Sequence, residues 1–143
     1  MNKIAQLISG PGAEHWGKFL LRFILSFGML FHGVGKLAGG AGHIAGMLQE
    51  SGIPGFIGYG VIVGEVLAPL LILFGYKSRL GGLVMSFTML VAILLVHPGD
   101  IFSLADRGTW AIELPMLYLI GGIAVSLLGA GKYSLSKGEG DWD

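Results

Sequence analysis

Four apolar stretches alternate along the chain with short polar or glycine-rich connections. Each stretch is about 18–22 residues long, the length at which an α-helix crosses about 30 Å of hydrocarbon. The pattern therefore predicts an all-α polytopic membrane protein, a bundle of four transmembrane helices forming a single domain over residues 1–143. The predicted spans are 16–37, 56–76, 80–97 and 110–131.

The connections between these stretches differ in length and composition. The turn at 76–79 is short and basic, whereas the connection at 38–55 is longer and rich in glycine. Residues 43–50 within the longer connection are predicted to form a short helix at the membrane interface. The tail at 132–143 is polar, and we expect it to be loosely ordered.

The composition is typical of a membrane protein and excludes every kind of site that needs a cysteine. Only 13% of the residues are charged, about half of the usual share in soluble domains, and 53% are hydrophobic. Basic and acidic residues balance at 9 each, so the charge gives no reason to expect a nucleic acid as partner. The chain has no cysteine, which excludes disulfides, thiolate zinc sites and cysteine-held iron–sulfur clusters.

Basic residues predict the orientation, because lysine and arginine concentrate on the cytoplasmic side of membrane proteins. Most of them flank the start of the first span, the 76–79 turn and the tail, while Lys36 and Arg107 fall on the other side. Both termini are therefore predicted to be cytoplasmic. The segment before the first span does not resemble a cleaved signal peptide, so we expect that span to be retained.

The first span carries three polar residues, Arg22, His32 and Lys36, in an otherwise apolar run. At about 100° per residue, these three and Met29 fall within about 80° of one another on one helical face. A lone charge at bilayer depth costs about 2.5 kcal/mol or more, so this face is predicted to point towards protein or water.

The other spans offer polar partners for this face. Glu65 lies near the middle of the second span, and we predict that it pairs with Arg22 because a paired charge costs less than an isolated one. His97 closes the third span before a proline, and Trp110 and Glu113 lie at the start of the fourth. The bundle is predicted to hold one polar pocket near its outer side, lined by Arg22, His32, Lys36, Glu65, His97, Trp110 and Glu113.

Each of these residues also has a purely structural interpretation. The Arg22–Glu65 pair could fix only the register of two helices, and His97 could simply end a helix. Lys36 could extend to the membrane interface, and Glu113 could only favour the helix macrodipole. A functional pocket is favoured because all four spans contribute an ionisable group.

The chemistry of this pocket fits a quinone better than a metal. His32, His97, Glu65 and Glu113 are acceptable ligands, but their spacing matches no metal motif, so no metal site is predicted. Histidine and carboxylate groups can exchange protons with a reduced quinone, and apolar walls can accept its ring. Quinone is the candidate cofactor, and no tightly bound cofactor is predicted.

Two glycines, Gly60 and Gly64, lie four residues apart directly before Glu65. Small residues at this spacing let two helices approach closely. The pair therefore predicts either a homo-oligomer contact or a contact within the bundle.

Several segments resemble the DoxX family of small four-helix membrane proteins: "GMLFHGVGKL", "GIPG" and "GEVLAPLLILFGYKSRLGGLVMSFTML". The resemblance covers about residues 18–132, and family members also place Arg, Lys and Glu at the positions of Arg22, Lys36 and Glu65. It implies a bacterial inner (plasma) membrane, association with quinone-linked oxidoreductase and detoxification systems, and soluble redox enzyme subunits as partners.

Three hypotheses about function follow. The first is a membrane subunit of a quinone-linked oxidoreductase, with Glu65 and His97 handling protons and Arg22 orienting Glu65. The second is a proton-coupled transporter of small molecules, because a carboxylate at mid-membrane can exchange a proton for a substrate. The third is a non-enzymatic scaffold that holds soluble redox partners at the bilayer.

Overall fold

Helices dominate the structure, a computed structural model that describes residues 2–143 apart from the side chain of Ala41. One long helix contains a π turn at Val63–Leu67, and the helix after it is followed by a 3₁₀ turn at Pro98–Asp100. The described residues form no β-strand, which confirms the all-α prediction for that part of the chain. The helices are α1 (Lys3–Ser9), α2 (Ala13–Ala38), α3 (Ala41–Glu50), α4 (Ile57–Phe74), α5 (Ser78–Val96) and α6 (Glu113–Leu128).

Three of these helices, α2, α4 and α5, are long and apolar enough to cross a membrane, with 26, 18 and 19 residues. Helix α6 is equally apolar but has 16 residues. Large apolar side chains such as Phe31 and Leu127 are exposed on the outside of the helices, as lipid contact requires. These features indicate an integral membrane protein, while a fourth crossing by α6 stays a prediction.

The fourth helix is shorter than the predicted span 110–131 at both ends. Before it, the chain folds back on itself through a bridge between Leu104 and Trp110, so the helix starts only at Glu113. After Leu128, Gly129 has a φ of 75°, a conformation that ends the helix.

The four long helices form a bundle in which α2 and α5 occupy opposite corners. Each of them packs against both α4 and α6. The core between them is apolar and fully buried, and its members include Met29, Ile72, Met85, Met89 and Val125. This bundle is the scaffold that holds the polar side chains of the first span against the other helices.

One end of the bundle, here called the termini end, contains α1, residues 74–78 and residues 129–143. Arg22 is buried there, and its Nη1 donates to the carbonyls of Ile72 and Leu73. Its Nη2 donates to the carbonyl of Tyr133. Arg22 thereby adds side-chain donors to carbonyls in the last turn of α4, where few backbone N–H partners remain.

The tail at 132–143 is bound to this same end, and the prediction that it is loosely ordered is wrong. Leu135 donates its backbone N–H to the carbonyl of Phe74. Arg79 donates both to the last carbonyls of α6 and to the carbonyl of Asp143. The tail supplies hydrogen-bond partners to helix ends, a contribution that hydropathy alone does not reveal.

The opposite end, here called the loop end, contains residues 38–57 and 97–112. Helix α3 occupies the segment where a short helix was predicted and packs against the start of α4. The connection from α5 to α6 turns back over the bundle, with the Trp110 Nε1 donating to the carbonyl of Ile101 at 2.7 Å.

Candidate functional site

A cavity of about 190 Å³ lies in the half of the bundle nearest the loop end, and all four long helices contribute to its wall. Its deepest lining is buried and consists of Met29, Glu65, Met89 and Tyr118. Its mouth is more exposed and carries both polar and apolar side chains. The mouth and upper wall are formed by His32, Lys36, Ala92, His97, Leu114 and Pro115.

An ion pair between Lys36 and Glu65 is the central feature of this cavity. Lys36 Nζ lies 2.6 Å from Glu65 Oε1, with the glutamate side chain 4% exposed and the lysine side chain 46% exposed. Among the described residues, no group forms a hydrogen bond with Glu65 Oε2. A buried carboxylate oxygen without a partner is costly, so this atom is available to a ligand that carries a donor.

The backbone around Glu65 explains why the pair forms. Glu65 lies in the middle of the π turn at Val63–Leu67, and such turns occur frequently at functional sites. Gly33 of α2 packs directly on the Glu65 backbone, and a Cβ atom at this position would collide with the Glu65 carbonyl. This close approach of α2 and α4 brings Lys36, almost one turn after Gly33, beside the carboxylate.

His97 lies at the mouth of the cavity, where it ends α5. Its Nδ1 lies 2.9 Å from Asp100 Oδ2. Because an ionised carboxylate can only accept, the hydrogen bond is assigned from Nδ1–H of His97 to Asp100 Oδ2. Sequence reasoning missed Asp100, although its position three residues after a helix-ending histidine, beyond a Pro-Gly turn, was a usable signal.

Tyr118 is the second site residue that sequence reasoning missed. Its ring meets the His32 ring edge-on with centroids 5.9 Å apart, and its hydroxyl packs against Gly28. The signal was weak, because one tyrosine in an apolar helix is usually a packing residue.

The structure brings four of the seven predicted pocket residues together, His32, Lys36, Glu65 and His97. The predicted Arg22–Glu65 pair does not form. Arg22 binds the carbonyls at Ile72 and Leu73, which lie about 10 Å along α4 from Glu65 at the rise of an α-helix.

Trp110 and Glu113, the remaining two, line a separate groove of about 280 Å³ beside the start of α6. Leu114 lines both the cavity and this groove. The groove is formed by Ala105, Thr109, Trp110, Ala111, Glu113, Leu114 and Leu117.

Gly60 and Gly64, the two glycines of the predicted contact, lie in different surroundings. Gly64 is buried against Thr88 of α5, where a Cβ atom would collide with the threonine side chain. Gly60 is exposed and has open space beside it. Gly64 thus serves packing within the bundle, and only Gly60 faces outward.

The part of the chain that the structure describes contains no cluster of possible metal ligands. Within residues 2–143, no three His, Asp or Glu side chains lie close enough together to hold an ion. The polar side chains that line the cavity are His32, Lys36, Glu65, His97 and Tyr118, beside apolar ones.

A known protein family matches more than half of the chain. The family model described as DoxX matches residues 17–98, which include most of α2 and all of α3 to α5, with Lys36, Glu65 and His97. The chain belongs to the DoxX family. As a DoxX-family member it carries the site mostly within the matched region, and only the wall from α6 and Asp100 lie beyond it.

Two bacterial relatives are similar to part of this DoxX-family chain. An uncharacterized protein of Haemophilus influenzae is 31% identical over 84 residues, 58% of this chain and 54% of the relative. A Bacillus subtilis protein named "Putative oxidoreductase CatD" is 31% identical over 80 residues, 56% of this chain and 59% of the relative. Each match thus spans little more than half of the relative's length. No solved structure matches the chain.

Proposed function

We propose that this DoxX-family protein is a membrane subunit of a quinone-linked oxidoreductase or detoxification system, and that its cavity binds the quinone ring. The observation that carries the proposal is the Lys36–Glu65 pair, on a buried glutamate that lines a small cavity and whose Oε2 has no partner among the described residues. The proposal includes four membrane crossings, both termini in the cytoplasm, and a bacterial inner membrane. A relative named as an oxidoreductase supports the redox assignment.

The size of the cavity supports a single-ring ligand. An apolar cavity of about 150 Å³ is large enough for benzene, and this one measures about 190 Å³. Met29 and Met89 give its floor a polarizable apolar surface, which suits an aromatic or quinonoid ring. A benzoquinone ring with small substituents fits this space.

The polar groups support proton exchange at the two oxygens of such a ring. Oxidation of a quinol releases two protons and two electrons, and both hydroxyl oxygens become carbonyl oxygens. One proton passes to Glu65 Oε2 and the other to His97 Nε2. The electrons pass to a separate partner subunit that carries a flavin or an iron–sulfur centre, and reduction of the quinone reverses these steps.

The closed floor of the cavity favours binding over passage. Beneath Met29 and Met89 lie the fully buried side chains of Ile72 and Met85, and below them Arg22 is fixed to backbone carbonyls. A transporter would have to break this layer in every cycle. The transporter and scaffold hypotheses become the outcomes to which a negative binding test would point.

Thermal unfolding of the detergent-purified protein with a short-chain benzoquinone tests the proposal. At about 100 times its dissociation constant, the ligand is expected to stabilise the wild type by about 2.7 kcal/mol. Glu65→Gln keeps the shape of the side chain but removes the carboxylate, so the stabilisation is expected to vanish. Each variant is compared with its own ligand-free curve, because the substitution also leaves Lys36 unpaired.

Glu50→Gln provides the matched control, because Glu50 is an exposed glutamate on α3 that forms no ion pair with any other described residue. This variant should keep the full ligand-induced stabilisation. A folded wild-type protein that no quinone stabilises would overturn the proposal. Uptake into vesicles driven by a pH gradient would then support transport, and retention of partner subunits without Glu65 would support a scaffold.

A further inference from the structure

The cavity that we assign to the quinone ring is too small for a ring and a hydrocarbon tail together. Its volume is about 190 Å³, little more than a benzene ring requires. A ligand with a tail would therefore have to lead the tail out of the cavity. The surroundings of the cavity leave few routes for it.

Two of these routes are unsuitable for hydrocarbon. The floor is closed by buried side chains, among them Met85 and Ile72 with no exposed surface. The mouth carries the side chains of His32, Lys36 and His97, and apolar chain placed among them would remove charged or polar groups from water.

The third route passes Leu114, the side chain that the cavity shares with the groove at the start of α6. This groove measures about 280 Å³, more than the cavity itself. Its lining is mainly apolar, and Leu117 at its far side is 59% exposed on the outer surface of the bundle. A hydrocarbon chain in the groove would thus continue directly into lipid.

The wall of the groove is held in place by the loop that covers it. The Trp110 Nε1 donates to the carbonyl of Ile101, so the polar edge of the indole is satisfied. The bridge between Leu104 and Trp110 fixes the same loop segment. The groove is therefore preformed, and its occupation by a chain costs little rearrangement.

We infer that the ligand is a quinone with a hydrocarbon tail, whose tail leaves the cavity past Leu114 and lies in the groove lined by Trp110, Ala111 and Leu117. This inference rests on the proposed function and extends it from a ring to a lipid-soluble substrate. Trp110, Leu114 and Leu117 become residues that determine specificity for the tail. The predicted pocket residues Trp110 and Glu113 then belong to the tail groove and not to the ring cavity.

Binding of two quinones with the same ring tests the inference, one without a tail and one with a tail of two isoprene units. The measured quantity is the ratio of their dissociation constants for the purified protein in detergent. The wild type is expected to prefer the tailed quinone at least tenfold, since burial of two methylene groups already suffices for that factor. Ala111→Trp fills the groove, so the ratio should fall to about one.

Leu127→Trp is the control, because Leu127 is 74% exposed on the same helix but near its other end, and this variant should keep the wild-type ratio. Ala111→Leu replaces Ala111→Trp if the larger side chain prevents folding, with a reduced ratio expected. The tailless quinone could bind while the ratio of dissociation constants stays the same in the wild type and the groove variant. That result would overturn the inference and leave the proposed function standing. If the tailless quinone does not bind the wild type, the proposed function fails as well.

Discussion

At the scale of single residues, Lys36 is the residue on which the buried carboxylate depends. It is the one ion-pair partner of Glu65 among the residues that the structure describes, and its ammonium group lies 2.6 Å away. Lys36→Met keeps the apolar stem and removes the charge, which leaves Glu65 buried and unpaired. We expect a loss of about 1–3 kcal/mol in unfolding free energy, less than for a fully buried pair because Lys36 is half-exposed.

A double-mutant cycle with Glu65→Gln separates this pairing from the loss of packing. In chemical denaturation, we expect the double variant to be as stable as the Lys36→Met variant or more stable. Additive losses in the two single variants would show that the ion pair contributes nothing. Lys77→Met serves as a control for charge removal, since Lys77 is exposed in the 76–79 turn.

At the scale of helices, the contact between α2 and α4 depends on Gly33. The backbones touch at this position, and any side chain larger than hydrogen would meet the Glu65 carbonyl and the Val66 side chain. Gly33→Ala is expected to separate the helices, with a loss of about 1–3 kcal/mol in unfolding free energy and a loss of quinone-induced stabilisation.

Gly35→Ala on the same helix supplies the matched comparison. Gly35 has open space where a Cβ would lie, so alanine should stabilise the helix by about 0.5–1 kcal/mol through its helix propensity. Equal effects of the two substitutions on unfolding would contradict the role given to the contact at Gly33.

The same helices show what the sequence can and cannot predict. The period of an α-helix predicts that His32 and Lys36 share one helical face. Their place in a common pocket with Glu65 could therefore be predicted from the sequence. Periodicity does not give the depth at which a partner lies, and for that reason Arg22 was paired with Glu65 instead of with carbonyls at the end of α4. Asp100 enters the site through a 3₁₀ turn, which a span-by-span analysis does not detect.

At the scale of the whole molecule, the described residues open the cavity towards the loop end, while buried side chains close it towards the termini end. The chain has no cysteine, so a single cysteine can be introduced and labelled without interference. Ala92→Cys in the cavity wall is expected to react with a membrane-impermeant thiol reagent added on the side of residues 97–112. The same reagent added on the termini side should leave it unlabelled.

Two further cysteines calibrate that experiment in proteoliposomes of known orientation. Ser86→Cys is a buried position that should react from neither side, and Lys137→Cys in the exposed tail should react only from the termini side. Labelling of Ala92→Cys from the termini side would reveal a path through the bundle and would favour transport.

The position of Arg22 has a consequence for how the protein is made. One of its hydrogen-bond acceptors, the Tyr133 carbonyl, is 111 residues further along the chain. The ribosome therefore synthesises Arg22 long before Tyr133. During this interval the Arg22 guanidinium must stay in contact with water or lipid headgroups. Closure of the termini end around Arg22 is thus expected to be a late event of biosynthesis, which begins only after Tyr133 has been synthesised.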